Sequence, residues 1–351
     1  MRFDQEPPPS EAGAPERAGV LLVNLGTPDA ATPRALRRYL AEFLSDPRVV
    51  EIHGALWQPV LHGFVLRTRP ARSARKYQRI WTAEGSPLAV WTRKQTALLR
   101  GYLGERGGCG ALEVEHAMRY GQPSIASQLG ALKARGCTRI LLAPLYPQYS
   151  ASTTGSAFDA MAAWAMRQRR VPQLRVLDPY YAHPDYIGAL ARRIRADWQA
   201  RGQPDKLVMS FHGMPVRAAR QGDPYARQCE RTAQLLAARL ALKPGQWLHT
   251  FQSRFGHARW LQPYTQATLE QLARSGVARV DVVCPGFASD CLETLEEIAI
   301  EARAAFLAAG GRQYHYIACL NDAPEWIAAL AGMIERHLKD WVQTPEHHHQ
   351  P

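Results

Sequence analysis

The chain has 351 residues, 46% of them hydrophobic, and a formal charge of +12, a length that can bury a sizeable core and suggests about two domains. No apolar run approaches the roughly 18 residues that a membrane-spanning helix needs, so a soluble chain, or one that touches a membrane only peripherally, is expected. The Arg-rich stretches Arg67 to Arg79 and Arg167 to Arg170 would suit nucleic acid, anionic lipid or an acidic small molecule, but no zinc finger or RNP sequence accompanies them, and no nucleic-acid partner is expected.

Residues 1–18, rich in Pro, Glu and Ala, read as a disordered tail without the pattern of a signal peptide. Gly19 to Gly26 is a continuous apolar run, the mark of a parallel strand buried on both faces. Thr32 then caps a helix with Pro33 at its first position; Leu36, Tyr39, Leu40, Phe43 and Leu44 share one face before Pro47 stops it. From about 46 to 100 short helical pieces alternate with Pro and Gly and carry exposed-looking aromatics at Trp57, Tyr77, Trp81 and Trp91. So long an interruption of strand-helix alternation is often functional.

Strands then recur at Val114 to Tyr120, Arg139 to Tyr146 and Arg175 to Asp178, and again at Lys206 to Phe211, Trp247 to Gln252, Ala278 to Cys284 and Tyr314 to Leu320. The halves align: the segment from Gly136 to Pro144 matches that from Gly276 to Pro285, and His183 to Leu190 matches Ala323 to Leu330 at the same spacing. Two copies of one α/β unit are therefore expected, an N-terminal one over 19–182 with the 46–100 insertion and a C-terminal one over 183–341, followed by a tail over 342–351. Paired α/β units hold ligands in the cleft between them, at facing strand ends. Six cysteines, Cys109, Cys137, Cys229, Cys284, Cys291 and Cys319, lie scattered without a C-x-x-C, which points to reduced thiols in a cytoplasmic protein.

Two stretches carry chemistry. Lys206 to Pro215 ends an apolar run in His212 and stops it with Gly-Met-Pro, placing the imidazole at a strand's C-terminal end; it is either a hydrogen-bonded structural residue or a base near neutral pH. Cys284 to Glu301 follows the strand at Val280 to Val283 with Pro285-Gly286 and then a helix. Ser289 or Asp290 can cap that helix, and Asp290 with Glu293 forms a capping-box-like pair, which would account for Glu293 without catalysis. Glu293, Glu297 and Glu301 recur every four residues and would stack on one face, where like charges cost about 0.2–0.5 kcal/mol per pair. Either the face is simply solvated or something positive sits opposite.

Several blocks in order carry a family resemblance over nearly the whole chain from Gly19 to about Leu338: N-L-G-T-P at Asn24, E-G-S-P-L-A-V-W-T-R-K-Q at Glu84, M-R-Y at Met118, P-L-Y-P-Q-Y-S-A-S-T-T-G-S at Pro144, S-F-H-G-M-P at Ser210, F-Q-S-R-F-G-H-A-R-W-L-Q-P-Y-T at Phe251 and G-F-A-S-D-C-L-E-T-L-E-E-I at Gly286. Together they resemble ferrochelatase, the terminal enzyme of haem synthesis. The resemblance implies two Rossmann-like domains with parallel four-stranded sheets around a porphyrin cleft, and insertion of ferrous iron into protoporphyrin IX with release of two protons. It implies that His212 is the base and metal-contacting residue, that Glu293 is the carboxylate facing it, and that Glu297, Glu301 and Asp290 lie along an acidic path for metal or protons. Leu25, Tyr77 and Trp260 correspond to pocket-lining positions, and Ser86, Arg119 and Ser253 to positions near the macrocycle or its propionates.

The residue types suit that chemistry: a neutral imidazole can take a pyrrole proton, carboxylates can pass protons or a cation, and mixed ligation holds ferrous iron weakly enough to release it. Arg residues can meet propionates through charge-assisted hydrogen bonds. Many relatives have His where this chain has Cys291, which reads here as a small buried residue. No Cys follows Cys319, so no iron–sulfur cluster and no prosthetic group are expected, with iron entering as substrate. His257 reads as incidental, and His347, His348 and His349 as part of a disordered end. A monomer is expected, cytoplasmic and in contact with the inner face of the membrane at most. Two other classes stay open: a chelatase for a different metal and ring, against which the Ser210 and Gly286 blocks argue, and a non-catalytic porphyrin carrier, which would have lost His212 or Glu293.

Overall fold

A computed structural model describes residues 3–6, 17–105, 112–256 and 258–341. Cys109, His257, the tail 342–351 and most of the expected tail 1–18 fall outside the described residues. Eight strands, β1 (Arg17–Gly26), β2 (Leu112–Tyr120), β3 (Cys137–Pro144), β4 (Gln173–Val176), β5 (Lys206–His212), β6 (Trp247–Gln252), β7 (Arg279–Val283) and β8 (Gln313–Ile317), form two four-stranded parallel sheets of order β2-β1-β3-β4 and β6-β5-β7-β8. The second order repeats the first, as the internal alignment requires, so the strand ends of both sheets run in corresponding directions.

The alternation of side chains along a strand divides the cores. In β1, Val20 and Leu22 face a cluster shared with β5 residues Leu207, Met209 and Phe211, while Leu21 and Val23 face a separate layer with Leu129, Leu132 and Trp164. The shared cluster lies between the sheets. At its centre Trp326 packs on Tyr180 and Tyr186, with ring centroids 5.7 and 5.9 Å away. Each fully buried aliphatic side chain there contributes about 1.5–3 kcal/mol of transfer free energy.

The helix that follows the last strand of each sheet packs on the other sheet's side. The helix Pro184–Arg201 follows β4 but packs against the helix Tyr225–Arg239 and β8, whereas the helix Pro324–Leu338 follows β8 but packs against the helix Pro87–Glu105 and β3. Arg139 and Arg175 secure that packing by donating to the carbonyls of Trp341 and His337 at 3.0 and 2.7 Å. The two sheets are thus tied together through helices as well as through the chain.

The segment after β1 follows its local signals. Thr32 Oγ1 accepts from the Ala35 amide, Pro33 opens the helix Pro33–Ser45, and the helix ends just before Asp46-Pro47. Pro59 and Pro70 sit inside the short helices Gly54–Val60 and Leu66–Gln78, joined by the π-turn Leu61–Val65. The aromatics expected to be exposed here are not: Tyr77 is buried, and Trp57, Trp81 and Trp91 are partly covered. This segment packs its own apolar cluster against residues of the second unit, Leu292, Leu295 and Ile300. The sequence alone could not reveal that partner surface.

The expected tail 1–18 also differs where it is described. β1 begins at Arg17, and the Asp4 amide donates to the Arg167 carbonyl at 2.9 Å. The Glu6 carboxylate takes the amides of Arg169 and Arg170 at 2.7 and 3.2 Å and pairs with the buried Lys133. A buried ammonium is costly unless paired, which gives Glu6 a definite seat.

Candidate active site

His212 ends β5, opposite Gln252 at the end of β6. Its Nδ1 lies 2.7 Å from the Gly213 carbonyl oxygen. A carbonyl can only accept, so the neutral ring carries its hydrogen on Nδ1 and presents a lone pair at Nε2. The next residue must be glycine: a Cβ at Gly213 would lie 2.6 Å from the Gln252 carbonyl oxygen and 3.1 Å from the Trp260 ring. The Gly213 amide donates to that same carbonyl at 2.7 Å, closing the turn behind the imidazole.

The capping-box expectation for Asp290 and Glu293 does not hold. The Asp290 amide donates to Asn321 Oδ1 at 2.8 Å, and the Asp290 carboxylate accepts from Asn321 Nδ2 at 2.7 Å, Thr294 Oγ1 at 3.0 Å and the Tyr316 hydroxyl. Asp290 therefore fastens the turn after β7 to the loop after β8. Gln95 reaches that loop from the first unit, donating to the Asn321 carbonyl at 2.7 Å. Asn321 holds φ at +49°, a left-handed backbone uncommon outside glycine.

The helix that follows is a π-helix, Glu293–Ala302. Such segments are rare and often found at functional sites. Its carboxylates do not form one uniform stripe. The Glu293 carbonyl accepts from Gln252 Nε2 at 2.7 Å, and its side-chain charge raises the buried Tyr39 and Tyr77 hydroxyls, whose pKa values burial already lifts well above the usual range. Glu297 turns to Ser253, accepting from its amide at 2.7 Å and from its hydroxyl. Burial pushes the Glu297 carboxyl up; the Ser253 bonds and the nearby His212 pull it down, and Glu293 adds to the rise. Ser253 itself is left-handed, with φ +64°.

A positive partner exists for the outer end of the series. Lys76 Nζ lies 2.9 Å from both Glu301 and Glu296, and Arg79 lies 2.7 Å from Glu296. Glu296, with its side chain 1% exposed, was missed by sequence reasoning. Its only signal was the pair Lys76 and Arg79, three residues apart on the helix Leu66–Gln78 and the turn that ends it, and nothing linked them to a residue so distant in the chain.

The other expected residues fall into separate groups. Leu25 and Tyr77 share the apolar cluster with Tyr39, Trp81 and Leu292, and Tyr77 meets Trp81 edge-on with centroids 6.1 Å apart. Ser86 is buried and accepts from Thr27 Oγ1 at 2.7 Å. Gly26 bends the chain between them at φ +106°, where a Cβ would fall 1.8 Å from the Tyr120 carbonyl oxygen. Trp260 lies against Gly213, donates to the Phe255 carbonyl at 3.0 Å and packs on the Phe255 ring at 4.9 Å.

Arg119 stands apart from this group. Its Nε donates to Ser156 Oγ at 2.6 Å and a terminal nitrogen to Asp46 at 2.6 Å, with the guanidinium over the Tyr120 ring. Burial works against the ionised Asp46, but hydrogen bonds from Ser156, the Arg48 amide and Tyr120, with the Arg119 charge, hold its carboxyl below the usual range. Arg119 as placed braces the start of the 46–100 insertion, here called the lip, at Asp46. Cys291 is buried, its thiol pushed well up by burial and by Glu293. Among the described residues, no group of three or more His, Cys, Asp or Glu side chains is arranged to hold a metal ion.

The arrangement therefore places one imidazole lone pair at the end of β5 and a short series of carboxylates on the π-helix that follows β7, the strand beside it. Comparison with known proteins places the whole chain in a family. The family model described as Ferrochelatase matches residues 17–338. A ferrochelatase of Methylibium petroleiphilum is 63% identical over 341 residues, covering 97% of this chain and 93% of that protein. One of Polaromonas sp. is 59% identical over 349 residues, covering 98% and 95%. Among solved structures, SirB from Bacillus subtilis with Fe3+ superposes with a TM-score of 0.54 at 14% identity, over 91% of this chain and 95% of that one. At that identity the likeness concerns the fold.

Proposed function

This chain belongs to the ferrochelatase family, and we propose how its own residues carry out that reaction, the insertion of ferrous iron into protoporphyrin IX to give protohaem. The observation that carries the reading is the fixed ring of His212: its Nδ1–H is held by the Gly213 carbonyl, so Nε2 is directed as a base at the mouth of β5.

Metallation removes two pyrrole N–H protons as iron takes the four ring nitrogens. His212 Nε2 accepts a pyrrole proton, and Glu293 and Glu297 carry protons away or hold the incoming cation in passing. Weak, mixed imidazole and carboxylate contacts suit a metal that must move on. Leu25, Tyr77 and Trp260 supply the apolar faces against the macrocycle, with Ser86 and Ser253 at its polar edge; Arg119 has its remaining nitrogen for a propionate. Asp290, its carboxylate saturated by Asn321, Thr294 and Tyr316, holds the turn rather than relaying charge.

The reading includes no resident cofactor and no iron–sulfur cluster, with ferrous iron entering as substrate. The reading takes the enzyme to be a monomer. None of the described helices is long and apolar enough to cross a membrane. A cytoplasmic enzyme touching the membrane's inner face is supported by the lip, where Ile52, Leu56, Val60 and Phe64 are 50, 70, 47 and 67% exposed. Anaerobic incubation with protoporphyrin IX and ferrous iron should extinguish porphyrin fluorescence as haem forms; persistent fluorescence with bound porphyrin would mean a carrier.

A further inference from the structure

Gln252 is buried at the junction of the two catalytic stretches. Its carbonyl accepts the Gly213 amide at 2.7 Å, fixing the turn that carries the His212 ring. Its side-chain Nε2 donates to the Glu293 carbonyl at 2.7 Å, at the first residue of the π-helix. Its Oε1 accepts from Ser210 Oγ at 2.7 Å, and Ser210 in turn contacts Thr265 Oγ1 at 2.8 Å, so the amide has one orientation. Gln252 thus joins the Gly213 turn to the Glu293 backbone.

The first turn of the π-helix is also held by contacts from outside it, at the Glu293 carbonyl. The amide of Gln252 is one such contact, and it arrives from the strand adjoining His212. We propose that Gln252 is a positioning residue for metallation: one side chain and its own carbonyl together set the separation between the His212 ring and Glu293. A flat ring needs about 3.5–4.0 Å of clearance to the atoms on each face, so this separation has little tolerance. The inference rests on the ferrochelatase reading of the site.

The test uses the full-length chain and the variants Gln252→Met, which keeps the side-chain length and loses the amide, Gln252→Glu, which keeps the shape and exchanges the donating NH2 for a carboxyl oxygen, and Ser210→Ala, which frees the amide to turn. Initial rates against porphyrin and iron are measured beside porphyrin affinity by fluorescence and thermal unfolding. A misplacement of about 1 Å can cost 10²-fold in rate. Gln252→Met and Gln252→Glu should therefore lose about 10- to 100-fold in kcat, while KM and Kd for porphyrin stay within about twofold; Ser210→Ala should fall in the same direction by less. A purely structural role would instead weaken porphyrin binding and lower the melting temperature in step with the rate. That result, or kcat within twofold of the parent in Gln252→Glu, overturns the proposal. Should the Gln252 variants not fold, Ser210→Ala decides it, an unchanged kcat being the overturning result. Failure of the parent reading is distinguishable, because the unaltered chain would then not metallate at all.

Discussion

The bridge between the lip helix and the π-helix makes a quantitative prediction with an unusual asymmetry. Glu296 has a side chain 1% exposed, with both oxygens engaged, while its partners Lys76 and Arg79 keep 33 and 47% exposure. Removing the carboxylate with Glu296→Gln leaves two cations that can turn to water, and Lys76 keeps Glu301 at 2.9 Å; the expected cost is about 1–3 kcal/mol, the range for a lost charge-assisted hydrogen bond. Removing both cations with Lys76→Met and Arg79→Met strands a buried carboxylate, which costs about 3–5 kcal/mol when a partner of a buried pair is lost. The single cation variants should lie between, and the double variant should recover most of its loss when Glu296→Gln is added. Urea unfolding of the set gives the comparison, with unfolding free energies extrapolated to water. If Glu296→Gln costs more than the double cation variant, or if the triple variant is no better than the double, the account of the bridge as a buried carboxylate held by two half-exposed cations is wrong.

Gly26→Ala should be among the most damaging single substitutions, since it forces a Cβ to 1.8 Å from the Tyr120 carbonyl oxygen at φ +106°; a loss above about 3 kcal/mol or no soluble protein is expected, and wild-type stability in urea would contradict the geometry. Asp290→Asn places a donor among the donors of Asn321, Thr294 and Tyr316; a loss of about 1.5–3 kcal/mol with a fall in turnover is expected, and an unchanged unfolding curve would exclude the fastening role. At the N-terminal strap, the hydrogen bond from Lys133, outweighing burial, lowers the Glu6 carboxyl from 4.5 to about 2. A depressed pKa contributes stability above the unfolded value and loses it as pH falls through the folded one, so the strap should stay docked above about pH 4.5 and release toward pH 2. Protection of the Arg169 and Arg170 amides from hydrogen exchange should show that release, and Glu6→Gln should remove its pH dependence; identical profiles would place the anchor elsewhere.

His212 was legible because a strand's apolar run ends in it and Gly-Met-Pro follows, so its position at a sheet's ligand edge needs only local signals. The duplicated sheets were legible for the same reason: strand periodicity and the repeated segments are written in order along the chain. What escaped depends on contacts between distant segments. A spacing of four residues predicts one stripe on an α-helix, but the π-helix winding and the separate partners Ser253 and Lys76 send Glu297 and Glu301 to different tasks. Asp290 looked like a cap because its sequence neighbours fit, whereas its real partner, Asn321, lies in the loop after β8. The lip aromatics looked exposed because the surface that covers Tyr77 comes partly from Leu292 and Leu295. The packing of the helix after each sheet's last strand on the other sheet's side likewise has no local signature.

The central claim is that the His212 ring is the base for porphyrin metallation and that Glu293 works with it. The direct measurement is anaerobic metallation of bound protoporphyrin IX by ferrous iron in the parent chain, His212→Ala and Glu293→Gln, with porphyrin binding measured alongside. Turnover in the parent chain, with porphyrin bound but not metallated in either variant, is the predicted result. Metallation by His212→Ala at a rate near the parent's would remove the imidazole from the mechanism.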